Sequence, residues 1–233
     1  MPDLPKRIVL VQGSGGKANA VELDNGQVLQ ADAVVIAAGC IPNTKFMEGL
    51  DVEKDGSVKV NEYMQSAQCE NIYVAGDAAT FPKKFRGETI NARIEHWDVA
   101  MQHGRVAAQN ICGKKQAYDT VPFFWTMLWG KSLRYVGHAP EYDEVLIEGD
   151  LKKLRFVAYY CKENDIVAVA TVGRDPVAIA AAELFKLGIM PTRIQVESGQ
   201  RNSNDILKQQ RFYADPANAK PIIENPESIR KGF

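Results

Sequence analysis

The first thirty residues alternate between short apolar runs and turn-forming residues, which predicts extended chain folded back on itself. Residues 8–11 are a continuous apolar run, and residues 18–23 alternate apolar and polar side chains as a half-buried strand does. Asp24-Asn25-Gly26 follows, which is a strong signal for a tight hairpin turn, and residues 27–29 resume the extended pattern. The pattern predicts strands joined by hairpins.

Gly13, Gly15 and Ala18 also fit the dinucleotide-binding pattern G-x-G-x-x-G/A. In that motif the glycines let a phosphate approach the backbone, and a helix begins there so that its free N–H groups face the anion. A strand pattern follows here instead, and the next turn signal leaves no room for such a helix. We therefore interpret residues 13–16 as a hairpin tip and not as a phosphate site.

Two apolar runs further along predict strands buried on both faces. Residues 34–38 form the first run, which ends at Gly39. The second lies within "NIYVAGDAAT" (71–80) and ends in Gly76-Asp77. Residues 45–70 between them are typical of a connection with a short strand pair around Gly56. A loop containing Pro82 and Gly87 is expected after the second run.

Residues 95–113 carry apolar side chains at helical spacing and end in Gly113, which predicts a helix. From Pro122 the pattern changes to four short strands within "SLRYVG", "EVLIEG", "LRFVAYYCK" and "DIVAVATVG", which predict an antiparallel sheet. One helix follows in "DPVAIAAAELFKLG", with Asp175 as its expected N-cap and Pro176 in its first turn. No regular structure is predicted for the polar tail.

Composition excludes several classes of function. The chain has 233 residues, 45% hydrophobic and 24% charged, with a formal net charge of −1, whereas a nucleic-acid or anionic-membrane surface normally shows a basic excess. No run approaches the roughly 18 apolar residues of a membrane span. The four cysteines lie far apart without metal-ligand spacing, which favours reduced, packed thiols and no metal site; they are Cys40, Cys69, Cys112 and Cys161.

Gly76-Asp77 is the most informative pair of residues. A buried strand that ends in Gly-Asp places a carboxylate at the carboxyl edge of a sheet, where open α/β folds bind their ligands. The glycine permits close approach of a ligand, and the carboxylate accepts hydrogen bonds from hydroxyl groups such as those of a ribityl chain. Taken alone, the pair is more typical of a strand end followed by a turn.

Four segments in order and spacing resemble the C-terminal half of FAD- and NAD(P)H-dependent pyridine nucleotide-disulfide-type oxidoreductases, in particular the apoptosis-inducing-factor-like branch and the ferredoxin reductases. They are "ADAVVIAAGCIPNT", "NIYVAGDAATF", "RIEHWDVAMQHGRVAAQN" and "VPFFWTMLWGKSLRYVGHA". The resemblance implies an α/β plus α+β chain, which is a remnant of the fold with two dinucleotide-binding domains followed by a C-terminal antiparallel sheet-plus-helix domain. Both phosphate-binding glycine motifs of the family would lie upstream of Met1.

The implied domains are the end of an NAD(P)H-binding domain (1–45), the returning half of an FAD-binding domain (46–117), a C-terminal α+β domain (118–200) and a polar tail (201–233). The implied cofactor-binding residues are Gly76, Asp77, Glu95, His96, Trp97 and Trp125.

By resemblance, Asp77 would bind the FAD ribityl chain, and Glu95, His96 and Trp97 would begin the helix that faces the flavin and the nicotinamide. Trp125 would close over the flavin, because aromatic faces stack on planar rings. The alternatives are a surface or core role for His96 and plain core roles for both tryptophans. The aromatic segment 123–129 is compatible with a flavin-facing or partner surface or with domain core. His103 and His138 are interpreted as structural, and no residue is assigned a catalytic role.

The resemblance implies an enzyme, as a full-length protein, that passes electrons from NAD(P)H through FAD to an acceptor. The acceptor would be an iron–sulfur protein of the ferredoxin or Rieske type, and the location would be mitochondrial or cytoplasmic. Without the glycine motifs we expect this chain alone to be inactive and to bind FAD weakly or not at all. The alternatives are a non-catalytic interaction or dimerisation module, with a possible homodimer, and a short enzyme with a new nucleotide site.

Overall fold

A computed structural model describes residues 7–215 of the chain. Their contacts divide the chain into two compact units, one ending at Ile41 and the other beginning at Pro42.

The first unit is a three-stranded antiparallel meander of β1 (Ile8–Ser14), β2 (Lys17–Leu23) and β3 (Val28–Gln30). Gly15 and Gly16 form the first turn with positive φ angles of 59° and 77°, a conformation in which glycine is favoured. Both predicted hairpins are therefore confirmed. The G-x-G-x-x-A pattern leads into β2 and not into a helix.

The prediction of a buried strand over residues 34–38 is wrong. The segment has no regular secondary structure, and Val35 and Ile36 are 91% and 80% exposed. A strand buried on both faces needs hydrogen-bonded neighbours and covering layers. Within residues 7–215, no strand forms hydrogen bonds with this segment, so it does not become part of a sheet.

The second unit begins with a three-stranded sheet of β4 (Val58–Lys59), β5 (Ala79–Phe85) and β6 (Glu88–Ala92). A bridge between Val52 and Val58 forms the short strand pair predicted around Gly56. The expected loop with Pro82 and Gly87 is instead the β5–β6 hairpin, whose turn is formed by Arg86 and Gly87.

The strand predicted within residues 71–80 is also wrong in its secondary structure. Tyr73 makes a single bridge to Gln65, and Val74 is buried, but residues Gly76–Ala78 form one turn of 3-10 helix. The φ of Gly76 is +72°, which takes the backbone out of the extended region. The predicted burial holds only in part, because Val74 and Gly76 are buried whereas Ile72 is 37% exposed.

Helix α1 (Trp97–Ile111) confirms the helix predicted over 95–113. Gly113, with a φ of +77°, follows its last turn and allows the left-handed conformation that ends many helices. The buried face of α1 and the sheet of β4 to β6 share one core, which includes Val58, Phe81, Val99 and Tyr118.

A five-stranded antiparallel sheet forms the C-terminal part of the second unit, as predicted, with one strand more than expected. Its strands are β7 (Phe123–Leu128), β8 (Lys131–Gly137), β9 (Glu144–Asp150), β10 (Arg155–Lys162) and β11 (Asp165–Val172), in the order β7-β8-β11-β10-β9. Helix α2 (Asp175–Leu187) packs on it through residues such as Val177 and Leu184. Asp175 is the first helical residue and pairs with Arg134 at 3.0 Å, so it is not the N-cap.

Two helices follow, α3 (Arg193–Glu197) and α4 (Ser203–Ala214), and α4 lies in the tail for which no regular structure was predicted. A capping box between Asn202 and Asp205 starts α4, and buried Ile206 anchors it to the core. These local signals outweigh the polar composition. The tail beyond residue 215 lies outside the described residues.

The cysteines fit the packed-thiol interpretation only in part. Cys161 is buried, Cys69 is half-buried, and Cys40 and Cys112 are exposed. Among residues 7–215, no helix is long and apolar enough to cross a membrane. The same residues contain no group of three or more side chains of metal-ligating type placed to hold an ion.

Candidate functional site

The residues predicted to bind a cofactor lie in three places in the second unit, the third being Trp125 in β7. Gly76 and Asp77 form the 3-10 turn before β5, with Gly76 buried and Asp77 exposed. Glu95 and His96 immediately precede α1, and Trp97 is its first residue. The site therefore begins as one turn and one helix N-terminus.

His96 is the N-cap of α1. Its Nδ1 accepts a hydrogen bond from the Asp98 backbone N–H at 3.2 Å, which satisfies one of the free donors of the first turn. Because Nδ1 is the acceptor, a neutral His96 ring carries its proton on Nε2. The ring thus fixes the helix start with one nitrogen and retains a donor on the other.

The aromatic side chains of β7 meet those at the start of α1. The Trp97 and Trp125 rings contact edge to face, with their centroids 5.0 Å apart. Phe124 lies 4.5 Å from the His96 ring and stacks on Tyr135 with an angle of 7° between the planes. Trp97 and Trp125 are 55% and 39% exposed, so neither is a plain core residue.

An open groove of about 450 Å³ runs beside this aromatic cluster. It contains three of the predicted site residues, Glu95, His96 and Trp125, and its full lining is Arg93, Ile94, Glu95, His96, Phe124, Trp125, Thr126, Leu133 and His138. The lining combines aromatic and aliphatic residues with the ionisable side chains of Arg93, Glu95, His96 and His138. Such a surface suits a planar aromatic ligand with a polar edge.

Segment 123–129 is surface from residue 125 onward, whereas Phe123 and Phe124 are half-buried and pack against hydrophobic cores. Trp129 at the β7–β8 turn is 90% exposed, and Met127 and Leu128 beside it are exposed as well. Phe124 and Trp125 face the groove. The aromatic residues of this segment therefore divide between core packing at its start and exposure at its end.

Arg93 joins the two predicted stretches, and the sequence analysis did not single it out. Its Nε donates to Asp55 Oδ2 at 2.6 Å, and its Nη1 donates to Glu95 Oε1 at 2.5 Å and to the backbone carbonyl of Asp77 at 3.4 Å. The hydrogen bond to Glu95, ahead of that to Asp55, raises the pKa of the Arg93 guanidinium. Spacing could have identified it, because residues i and i+2 of extended chain share one side.

Replacing Arg93 with glutamine is expected to release Glu95 and the Asp77 carbonyl together. We expect the free energy of unfolding to fall by about 1 kcal/mol, since the ion pairs are half-exposed and screened by solvent. Backbone amide shifts in NMR spectra should change at residues 55, 77 and 95. Arg105→Gln is the matched control, because Arg105 is an exposed arginine on α1. Equal effects of the two changes would contradict the linking role.

His138, interpreted as structural from the sequence, lines the groove. Burial, and secondarily the charge of Lys83, lowers the pKa of His138. Its backbone N–H donates to the Val167 carbonyl at 3.1 Å, which ties the end of β8 to β11. His138 is therefore the second imidazole-bearing residue, with His96, in the groove lining.

Residues 4–104 match the sequence profile of the pyridine nucleotide-disulphide oxidoreductases, and residues 123–202 match the reductase C-terminal domain. The chain belongs to the pyridine nucleotide-disulphide oxidoreductase family. The predicted family and the predicted fold class are both confirmed.

Among its relatives is apoptosis-inducing factor 3 of Homo sapiens, which is 38% identical over 189 residues that cover 80% of this chain and 31% of the relative. Putidaredoxin reductase of Pseudomonas putida is 30% identical over 158 residues, which cover 68% of this chain and 37% of that protein. The chain thus spans about a third of the length of these curated oxidoreductase relatives.

Solved structures of the family superpose well on the chain. A ferredoxin reductase from Rhodopseudomonas palustris matches with a TM-score of 0.74 and 26% identity over 88% of this chain and 49% of that one. The covalent putidaredoxin reductase–putidaredoxin complex matches with a TM-score of 0.76 and 25% identity over the same shares. The architecture is that of the C-terminal half of these oxidoreductases.

Proposed function

We propose that the chain is the C-terminal part of a flavoprotein oxidoreductase that passes electrons from NAD(P)H through FAD to an iron–sulfur or other acceptor. The observation that carries the proposal is the aromatic groove at the N-terminus of α1, lined by Glu95, His96 and Trp125. When bound, FAD would supply the electron-transfer chemistry. The protein would position and tune it.

The side chains divide into three tasks toward a flavin. Trp125 and Phe124 would offer flat surfaces to the ring system. The free donors of the first turn of α1 and the Nε2–H of His96 would stabilise negative charge on the ring. Asp77 would accept hydrogen bonds from the ribityl hydroxyls, and Glu95, held by Arg93, would lie toward the nicotinamide.

The observed residues fit the flavin ring better than they fit the rest of FAD. Within residues 7–215, no glycine loop opens a helix in the way that pyrophosphate binding requires, because residues 13–16 form a hairpin turn. We therefore propose that this chain alone binds FAD weakly and lacks reductase activity. A ferredoxin- or Rieske-type acceptor and a mitochondrial or cytoplasmic location belong to the same proposal for the whole protein.

A flavin titration of the chain tests this proposal. Riboflavin and FAD are expected to bind with affinities within about threefold of each other, because the described residues offer no binding site for the pyrophosphate of FAD. Trp125→Ala should weaken binding about tenfold, which corresponds to the loss of one aromatic contact. Calorimetry would give the affinities, and NMR shifts would locate the ligand near residues 93–97 and 124–126.

Trp129→Ala is the matched control, because it removes an aromatic side chain from the same hairpin without touching the groove lining. FAD binding a hundredfold tighter than riboflavin would overturn the proposed weak binding. Ligand shifts away from the groove, or equal losses in both tryptophan variants, would overturn the groove as the flavin site.

A second candidate function is an interaction or dimerisation module. The observation that favours it is β7, an edge strand without a charged residue, whereas the opposite edge strand β9 carries Glu144, Glu148 and Asp150. Unprotected edges pair readily with other strands. Sedimentation at several concentrations separates this function from the first, since a module of this kind would associate without a flavin.

A further inference from the structure

His103 lies in the middle of α1 and makes a buried contact with the predicted cofactor-binding turn. Its side chain is completely buried between the rings of Phe81 and Tyr118, whose centroids lie 4.6 and 4.5 Å away in edge-to-face geometry. Its Nδ1 accepts a hydrogen bond from the Gly76 backbone N–H at 3.3 Å. The imidazole thus connects a helix to the residue directly before Asp77.

The acceptor role of Nδ1 fixes the chemical form of the ring. A protonated imidazole has an N–H on both nitrogens and could not accept from Gly76, so the bond requires the neutral ring with its proton on Nε2. Burial favours that form as well, because it lowers the pKa of His103 to about 4. Nε2 has no hydrogen-bond partner among the described residues. Among the described residues, the hydrogen bond from the Gly76 N–H is therefore the one interaction that uses a nitrogen of the His103 ring.

The backbone at Gly76 is seated directly on the helix. A Cβ at this position would lie 3.1 Å from the Ala100 Cβ, and Ala100 is one turn before His103 on the same helix. Gly76 therefore rests on a small residue and is held by a hydrogen bond one turn further along. The Ala100 contact and the His103 hydrogen bond are both made by the residue directly before Asp77.

We propose that His103 is a positioning residue that fixes the Gly76–Asp77 turn against α1, and thereby fixes the Asp77 carboxylate relative to the helix N-terminus at His96. The consequence for cofactor binding rests on the proposed function. The positioning itself does not, because it concerns one hydrogen bond within this chain. His103 would act through Asp77 and would not touch a ligand.

His103→Asn and His103→Leu form the decisive pair of variants. Asn and Leu are similar in size, and the Asn Oδ1 is attached to Cγ as Nδ1 is in histidine, so only Asn retains an acceptor for the Gly76 N–H. We expect hydrogen exchange of the Gly76 amide to be at least about tenfold faster in the Leu variant than in the Asn variant. The Val74 amide, which donates to the Met64 carbonyl, should change equally in both and reports overall stability.

Equal Gly76 exchange in the two variants, after correction by the Val74 amide, would overturn the proposal. Should the Leu variant fail to fold, the unsubstituted chain still provides a test: NMR of the His103 ring nitrogens must show a proton on Nε2 and none on Nδ1. A proton on Nδ1 would overturn the proposal equally.

The riboflavin titration separates the two proposals. Weaker binding by the Leu variant than by the Asn variant would support the link from His103 through Asp77 to the cofactor. If the unsubstituted chain and Asp77→Asn bind riboflavin equally, the proposed role of Asp77 fails. The Gly76 exchange result would still decide whether His103 positions the turn.

Discussion

Gly76→Ala is expected to lower the free energy of unfolding by about 3 kcal/mol. Two costs add at this position. The φ of +72° lies in the left-handed region, where a Cβ costs roughly 1–2 kcal/mol. The new Cβ would also lie 3.1 Å from the Ala100 Cβ, and crowding of that kind typically costs a further 1–3 kcal/mol. Urea unfolding followed by circular dichroism would measure the sum.

Gly130→Ala separates the two costs. Its φ of +71° matches that of Gly76, but nothing lies within 4 Å of the Cβ that alanine would add there. We expect a loss of only about 1 kcal/mol, which is the backbone cost alone. Gly76→Ala should also cost less in an Ala100→Gly background than in the unsubstituted chain, because the crowded atom is then absent; the Ala100→Gly variant alone accounts for the cost of glycine within α1. Equal losses at positions 76 and 130 would show that the close approach of Gly76 to α1 contributes nothing to the free energy of unfolding.

Acidification from about pH 6.5 to about pH 4 is expected to remove up to about 3 kcal/mol of stability through His103. In the unfolded chain the pKa of the imidazole has its ordinary value of 6.5, whereas burial lowers it to about 4 in the folded protein. Between these values the unfolded chain binds the extra proton. The stability is therefore complete above the unfolded pKa and falls as the pH approaches the folded pKa.

The slope of stability against pH is the quantity to measure. One histidine contributes about 1.4 kcal/mol per pH unit in this interval. His103→Asn should flatten the slope by about that amount, whatever its effect on stability at neutral pH. His138, whose pKa is also lowered, contributes with the same sign and remains in both proteins. Parallel curves for the two proteins would mean that His103 is protonated as easily in the folded state as in the unfolded state.

Local sequence patterns were enough to predict the elements that depend only on residues close together in the chain. The hairpins of the first unit follow from glycine and Asn-Gly turns, and α1 follows from helical spacing that ends in Gly113. The four short strands after residue 130 follow from alternation and turn residues. These features are encoded within a few residues of where they occur.

Burial and contact partners could not be predicted in the same way. The apolar runs at 34–38 and 71–80 both predicted buried strands, but the first is exposed and the second is a partly buried segment that ends in a 3-10 turn, because strand pairing depends on residues elsewhere in the chain. Arg93 and His103 act through residues distant in sequence, Asp55 and Gly76 respectively. The resemblance to a family supplied Glu95, His96 and Trp125, which composition and spacing could not have singled out.

The different environments of the three tryptophans make the protein its own optical probe. Trp97 and Trp125 contact each other beside the groove, whereas Trp129 is at the exposed tip of a hairpin. Because Trp129 is 90% exposed against 55% for Trp97 and 39% for Trp125, an aqueous quencher such as iodide will quench Trp129 most strongly and leave an emission weighted toward the pair. That remaining emission reports on the groove without a dye, and a bound ligand that absorbs in the same range will dim it selectively.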